Sequence, residues 1–392
     1  MKRRSLLIIG LLIVSIFFNY STVLANEENS KNQDLAGDAL SGVLIEQNTG
    51  KLLFDKDAHE QLPPASMTKI MTLLLIMEAL DTEKIAKEDM VVVSEYAASM
   101  GGSQVFLEAG EEMTVDDLIK GIAIASGNDA SVAMAEMIAG TEEEFVAEMN
   151  KRAEELNLEN THFANTTGLP AENHYSSAYD MAVMTRELLK YEDITNYTSI
   201  YEDYLRQGEE NEFWLVNTNK LIRSYPGADG MKTGYTNEAM YCLTATAKRD
   251  DMRVIAVVMG AETPKERNKM VSGLLDYGFQ GYQTKQLFAK EETVMELDKI
   301  KAKPHSFNIV TEQAVHSLYK KGQEEPAVTT DISIQEDWEF PIKKGTVIGE
   351  LTVKENNEPV HSTPLIVKED IAEASVLELA KRSMQKMVKS GD

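Results

Sequence analysis

The sequence predicts an α/β (α+β) domain whose antiparallel sheet is assembled from segments far apart in the chain, flanked by helices and joined to a helical lobe. A small all-β domain and an amphipathic C-terminal helix follow. Three observations carry this. Strand patterns stand at residues 41–54 and again at 228–259, with helical periodicity between them. Beyond residue 282, short strand-like runs alternate with turn clusters. In the tail, Val376, Leu377, Ala380, Met384, Met387 and Val388 share one helical side, while Arg382, Lys386 and Lys389 take the other.

The elements follow in order. Lys2, Arg3 and Arg4, an apolar run from Leu6 to Phe18 and the small-residue exit Val23-Leu24-Ala25 form the pattern of a secretory signal peptide over 1–25. A retained anchor is the competing reading, but the apolar run is short for a span. Ser41–Glu46, the turn Asn48-Thr49-Gly50 and Lys51–Phe54 read as a β-hairpin. Pro63 and Pro64 stop the chain ahead of an apolar helix from Ser66 to Leu80. Residues 115–157 carry helical periodicity, as do 178–190. Strands at Ala228–Gly234, Tyr241–Ala247 and Arg253–Met259 precede an amphipathic helix over 264–277. The first domain therefore spans 38–282. The β domain spans 283–368, with strands at Thr293–Leu297, Phe307–Thr311, Thr346–Val353 and Thr363–Val367, and the tail helix occupies 369–392.

Composition excludes several functions. A net charge of −25 over 392 residues argues against nucleic acid as a partner. The single cysteine, Cys242, lies in an apolar strand-like run and reads as a core residue. The six histidines show no metal-ligand spacing, no phosphate-binding glycine loop is present, and no cofactor is implied. His162 and His174 lie in polar loops without a carboxylate or cysteine at ligand spacing. Met77, Met134 and Met137 read as core filler.

The chemistry lies in three segments: Ser66-Met67-Thr68-Lys69, Ser126-Gly127-Asn128 and Lys232-Thr233-Gly234. A hydroxyl needs a neighbour to take its proton, and Lys69, three residues on, shares a helix face with Ser66. A lysine acts as a base only when neutral, and burial together with a second cation, Lys232, lowers its pKa. Ser126 would complete a proton route to the leaving amine, and Asn128 would hold the substrate amide. Lys232 and Thr233 suit a substrate carboxylate. Gly234 would let the substrate backbone approach the strand. The backbone N–H groups of Ser66 and Tyr235 are candidates for an oxyanion hole. Each motif alone is weak: S-x-x-K recurs at Ser317 and Ser383, and S-x-N at Ser30 and Ser306. Singly, Ser66 passes for a helix cap, 126–129 for a turn and 232–234 for a strand end. The ordered set reverses those readings.

With Pro64–Lys69, Gly121–Asp129, His162-Phe163-Ala164-Asn165, Gly168-Leu169 and Asp229–Thr236 added, the chain resembles the low-molecular-mass penicillin-binding proteins, D-alanyl-D-alanine carboxypeptidases similar to penicillin-binding protein 5. Ala97–Gly102, Phe106, Glu108 and Tyr201–Tyr204 look most like the sporulation-type members of endospore-forming Gram-positive bacteria. The resemblance implies a serine β-lactamase/DD-peptidase-like catalytic domain. It also implies acylation of Ser66 by stem peptides ending in D-Ala-D-Ala, release of the terminal D-alanine, and inhibition by β-lactams. Arg267 lies where the family carries an arginine near the carboxylate pocket, and Tyr235 replaces the histidine often found after K-T-G. A leader and a tail lying on the membrane would place the protein at the outer face of the cytoplasmic membrane; a tail packed on the β domain is the alternative. A class A β-lactamase would need an E-x-x-L-N loop, and Glu154-Glu155-Leu156-Asn157 is one residue too short. A non-catalytic penicillin sensor or wall-binding module is the other rival.

Overall fold

The computed structural model describes residues 34–335 and 338–389, so the candidate leader at 1–25 lies outside it. Strands β1 (Ser41–Glu46) and β2 (Leu52–Lys56) form the first hairpin. After a single 3-10 turn at Ala65–Thr68 comes helix α1 (Lys69–Asp81). The stretch of helical periodicity at 115–157 divides into α2 (Val115–Ala125), α3 (Asn128–Ala139) and α4 (Glu142–Glu155). It breaks at Ser126, with φ 66°, and at Gly140, with φ 88°, where the left-handed backbone ends a helix. Thr141 then caps α4 by accepting from the Glu144 N–H. Helix α5 (Ala178–Leu188) is capped by Ser177. A hairpin of β3 (Glu202–Leu205) and β4 (Phe213–Val216) follows, which the sequence pattern did not reveal. Strands β5 (Ala228–Thr236), β6 (Met240–Arg249) and β7 (Met252–Ala261) precede α6 (Pro264–Gly281).

The two ends of the first domain meet in one five-stranded antiparallel sheet, ordered β2-β1-β7-β6-β5. Strand β1 is buried along its whole length because both faces are covered. Alternation sorts the side chains. Val43, Ile45, Ile255, Val257 and Met259 join the core built on α1 to α5. On the opposite face Leu44 and Val254 press on Gly278 of α6, where a Cβ would come within 3.2 Å of both. Strand β5, bearing Lys232-Thr233-Gly234, is a sheet edge.

The C-terminal region has its own apolar core, including Phe307, Ile309, Ile348, Leu351, Val353 and Leu365. Its strands are β8 (Tyr282–Phe288), β9 (Thr293–Asp298), β10 (Ser306–Thr311), β11 (Val315–Lys320), β12 (Val328–Ile334), β13 (Val347–Glu355) and β14 (Glu358–Val367). Five pair in the order β9-β10-β14-β13-β12, while β8 pairs with β11. The tail helix α7 (Val376–Lys389) starts later than the pattern suggested. Ile371 bridges to Ile342, and Ala372–Glu373 pairs with Ala302–Lys303, which holds that stretch extended. Val376, Leu377 and Met384 are exposed. Arg382, expected on a free cationic face, donates to the Ile300 and Ala302 carbonyls, both at 2.7 Å. The side chains of residues 385–389 lie outside the described set. Among the described residues no helix is long and apolar enough to cross a membrane.

Candidate active site

The three segments converge. Ser66 sits in the 3-10 turn, one residue after Ala65, whose φ is 48°. The helix proper begins at Lys69, so Ser66 precedes it by a turn and is not its cap. Ser66 is half-buried, while Lys69 behind it is fully buried. Lys69 Nζ lies 3.2 Å from Ser66 Oγ, and also donates to Asn128 Oδ1 at 2.6 Å and the Thr167 carbonyl at 2.7 Å. Burial drives the Lys69 pKa well below the ordinary lysine range. The nearby Lys232 charge adds to this, and Asp129 opposes it.

Ser126 and Asn128 owe their places to the α2–α3 break. Ser126 ends α2, and its Oγ is buried without a hydrogen-bond partner among the described residues. Asn128 opens α3, with its backbone N–H on the Ser103 carbonyl at 2.7 Å. Its side-chain Nδ2 donates to the Gly101 carbonyl at 2.6 Å. The Asn128 carboxamide therefore bridges Lys69 to the 101–105 loop, a use the expected substrate contact did not include. The adjacent Asp129 carboxylate accepts from the Val105, Leu107 and Ala130 N–H groups.

On β5, Lys232 is buried, and among the described residues its ammonium donates to one group, its neighbour's carbonyl Thr233 O, at 3.1 Å. Burial, with the charge of Arg267 second, pushes its pKa down to about 7. Arg267 is buried on α6, with Nε and Nη2 on Asn268 Oδ1 at 3.1 and 2.9 Å. Thr233 Oγ1 donates to Thr218 Oγ1 at 2.8 Å. Gly234 has a packing purpose that the sequence reading did not include. A Cβ there would fall 2.7 Å from the Pro64 carbonyl oxygen, so the glycine lets β5 pack on the turn that carries Ser66. Tyr235 is half exposed, and its ring stacks on Tyr241 with centroids 4.4 Å apart.

Sequence reasoning used Asn165 and Gly168 for the family resemblance but gave no role to the loop behind Lys69. Asn165 Oδ1 accepts from the N–H groups of Thr167 and Gly168, at 3.1 and 2.7 Å, and so turns the Thr167 carbonyl toward Lys69. Gly168, with φ 85°, sits so close that a Cβ would lie 1.8 Å from the Ala65 carbonyl oxygen. Its sequence signals are the family likeness at Gly168-Leu169 and a glycine that follows a polar run. Of the two histidines, His162 is exposed with Nδ1 on the Asn173 carbonyl at 2.6 Å, and His174 is buried. Cys242 is buried, and burial raises its thiol to about 11. Met77 and Met134 are core residues, but Met137 is exposed on the outer side of α3. Glu154 and Glu155 end α4 on the surface. Among the described residues no His, Cys, Asp and Glu group could hold a metal ion.

Comparison with known proteins agrees with this geometry. Residues 27–263 match the family described as D-alanyl-D-alanine carboxypeptidase, and residues 282–373 match the penicillin-binding protein 5 C-terminal domain. The D-alanyl-D-alanine carboxypeptidase DacF of Bacillus subtilis is 53% identical over 385 residues, 98% of each chain. DacC of Escherichia coli is 34% identical over 343 residues, covering 86% of this chain and 85% of that one. The crystal structure of penicillin-binding protein 5 from Haemophilus influenzae superposes with a TM-score of 0.66 at 31% identity, covering 86% of this chain and 98% of the other.

Proposed function

This chain belongs to the D-alanyl-D-alanine carboxypeptidase family, and on that premise we propose that Ser66 is its acylated nucleophile and Lys69 the base. The protein is a serine-type D-Ala-D-Ala carboxypeptidase of the penicillin-binding kind, acting on peptidoglycan stem peptides and acylated by β-lactams. One observation carries the residue roles: a buried lysine, held by Asn128 and Thr167, sits 3.2 Å from the Ser66 hydroxyl with its pKa depressed.

In this reading Lys69 takes the Ser66 proton as Oγ bonds to the carbonyl carbon of the penultimate D-alanine. Backbone N–H groups of Ser66 and Tyr235 receive the oxyanion. The peptide C–N bond then breaks, and the departing amine of D-alanine takes a proton passed through Ser126. Water hydrolyses the acyl-enzyme and returns the proton to Ser66. Lys232 and Thr233, with Arg267 behind them, hold the substrate's terminal carboxylate, and Asn128 orients the peptide amide. Asp129 lends no free carboxylate to the hydrolytic water, since both its oxygens accept backbone N–H groups. Intact-mass analysis after penicillin labelling, paired with D-alanine release from a pentapeptide, tests the assignment. Wild type gains one acyl adduct and Ser66→Ala gains none; an adduct retained in Ser66→Ala refutes it.

We read residues 1–25 as a removed secretory leader, 38–282 as the catalytic domain, 283–368 as a β domain and the tail helix, Val376–Lys389, as lying on the outer face of the cytoplasmic membrane. The exposed Val376, Leu377 and Met384 support the last assignment. A chain ending at Glu369 that sediments with vesicles as well as full-length protein does would count against it. A role in the spore wall rests on the likeness at Ala97–Gly102 and Tyr201–Tyr204 and on the Bacillus relative. It predicts expression confined to sporulation. Nucleic acid is not among the proposed partners.

A further inference from the structure

His174 lies outside the three motifs, yet its ring closes a circuit around Lys69. Nδ1 accepts from the Ala164 N–H at 2.9 Å, so the ring proton resides on Nε2, which donates to Thr68 Oγ1 at 2.7 Å. Thr68 adjoins Lys69 in the chain. Ala164 opens the loop whose Thr166 carbonyl accepts from Thr72 Oγ1 at 2.8 Å and whose Thr167 carbonyl accepts from Lys69 Nζ at 2.7 Å. One imidazole thus ties the start of α1 to the loop that aims the lysine.

We propose that His174 is a positioning residue for acylation, a permanently neutral bridge that keeps Lys69 aimed and dry by locking loop 164–168 onto α1. Both bonds require the neutral ring, because an imidazolium would point a second N–H at the Ala164 N–H. The surroundings enforce neutrality. Burial, then the charges of His162 and Lys69, push the His174 pKa down to about 4. Phe163 packs edge-on against the ring, with centroids 6.0 Å apart. The inference rests on Lys69 being the base for Ser66.

Three variants separate the two bonds. His174→Asn retains an acceptor near Nδ1, His174→Gln a donor near Nε2, and His174→Phe neither. The measurements are the second-order rate of penicillin acylation, by intact mass, from pH 5 to 9, and the melting temperature. For His174→Phe we expect acylation to slow at least tenfold. Its acid limb should also move to higher pH, since a loosened loop admits water to Lys69 and relieves the burial that depresses it. The Asn and Gln variants fall between. Acylation at the wild-type rate overturns the inference. So does a slower rate with an unmoved acid limb and a lower melting temperature, the outcome of a purely structural role. If His174→Phe does not fold, the other two decide: wild-type rate and limb in both overturn it, and a raised limb in either supports it. Ser66→Ala labelled alongside keeps the questions apart, because an adduct there refutes the site itself whatever the histidine variants do.

Discussion

The two halves of this molecule use burial in opposite ways. Before residue 282 the interior encloses Glu46, Lys69, Asp129, Asp180, Arg206, Lys232 and Arg267, whereas the described part of the β region buries no Lys, Arg, Asp or Glu. Its ion pairs, such as Lys285–Glu325 and Lys343–Asp370, stay in solvent. The catalytic half also holds Ala65 and Ser126 at positive φ beside the reacting groups. Buried charge destabilises a fold unless it is well compensated. In the proposed mechanism the burial serves Lys69, because acyl transfer by a lysine base needs an ammonium whose proton is loosely held. The β half, with no such need, is an ordinary apolar core.

The largest expected effect falls on the lysine that justifies this arrangement. Lys69→Ala should slow penicillin acylation on the order of 10²–10⁴-fold, the range for a lost general base. Near-wild-type acylation in a folded variant would remove the reason for the burial. Next comes Gly168→Ala. Its Cβ would meet the Ala65 carbonyl oxygen at 1.8 Å from a backbone at φ 85°, so the Ser66 turn must shift. A displacement of about 1 Å in a reacting group costs roughly 10²-fold. An unchanged acylation rate would show that the turn tolerates movement.

How much of this was legible beforehand follows from where each signal resides. The trio could be read because side-chain identity carries the chemistry, and the sheet because its central strands β1, β6 and β7, mostly buried, are largely apolar runs. The Thr167 carbonyl was invisible, since a backbone oxygen has no residue signature. Asp129 is a carboxylate used only to hold backbone N–H groups, which spacing does not disclose. The α2–α3 break showed only as a possible turn at 126–129, because one left-handed residue barely disturbs helical apolar spacing. Strands β3, β8 and β12 are half-buried to exposed along most of their length, with charged residues in the pattern, so alternation is weak.

Lys232 sharpens the comparison from the stability side. Its folded pKa of about 7 lies below the ordinary lysine value, so the folded state resists its proton. The destabilisation is therefore full below pH 7 and fades as pH rises toward about 10.4, the unfolded value. Lys232→Met removes the charge beside Arg267 and should stabilise the fold by about 1–4 kcal/mol at pH 6, with little gain near pH 10. Acylation by a penicillin should fall about 10- to 100-fold, because a charge-assisted contact to the carboxylate is lost. Thermal melts at both pH values check it; a variant less stable at pH 6 would mean the ammonium is better compensated than its neighbours indicate.

The smallest effect on chemistry is expected in the β region. Leu351 is fully buried in β13 among Phe307, Ile309, Val353 and Leu365. Truncation to alanine removes packed methyl groups and leaves a cavity, a loss of about 2–5 kcal/mol. None of the hydrogen bonds that place Ser66, Lys69 or Asn128 comes from this region. Leu351→Ala should therefore lower the denaturant midpoint while each folded molecule acylates at the wild-type rate within about twofold, a margin of only some 0.4 kcal/mol in barrier. Denaturation and acylation measured on one preparation separate the two quantities. If acylation per folded molecule fell with stability, the halves would not be independent, and the β core would have to be counted among the supports of the buried lysine.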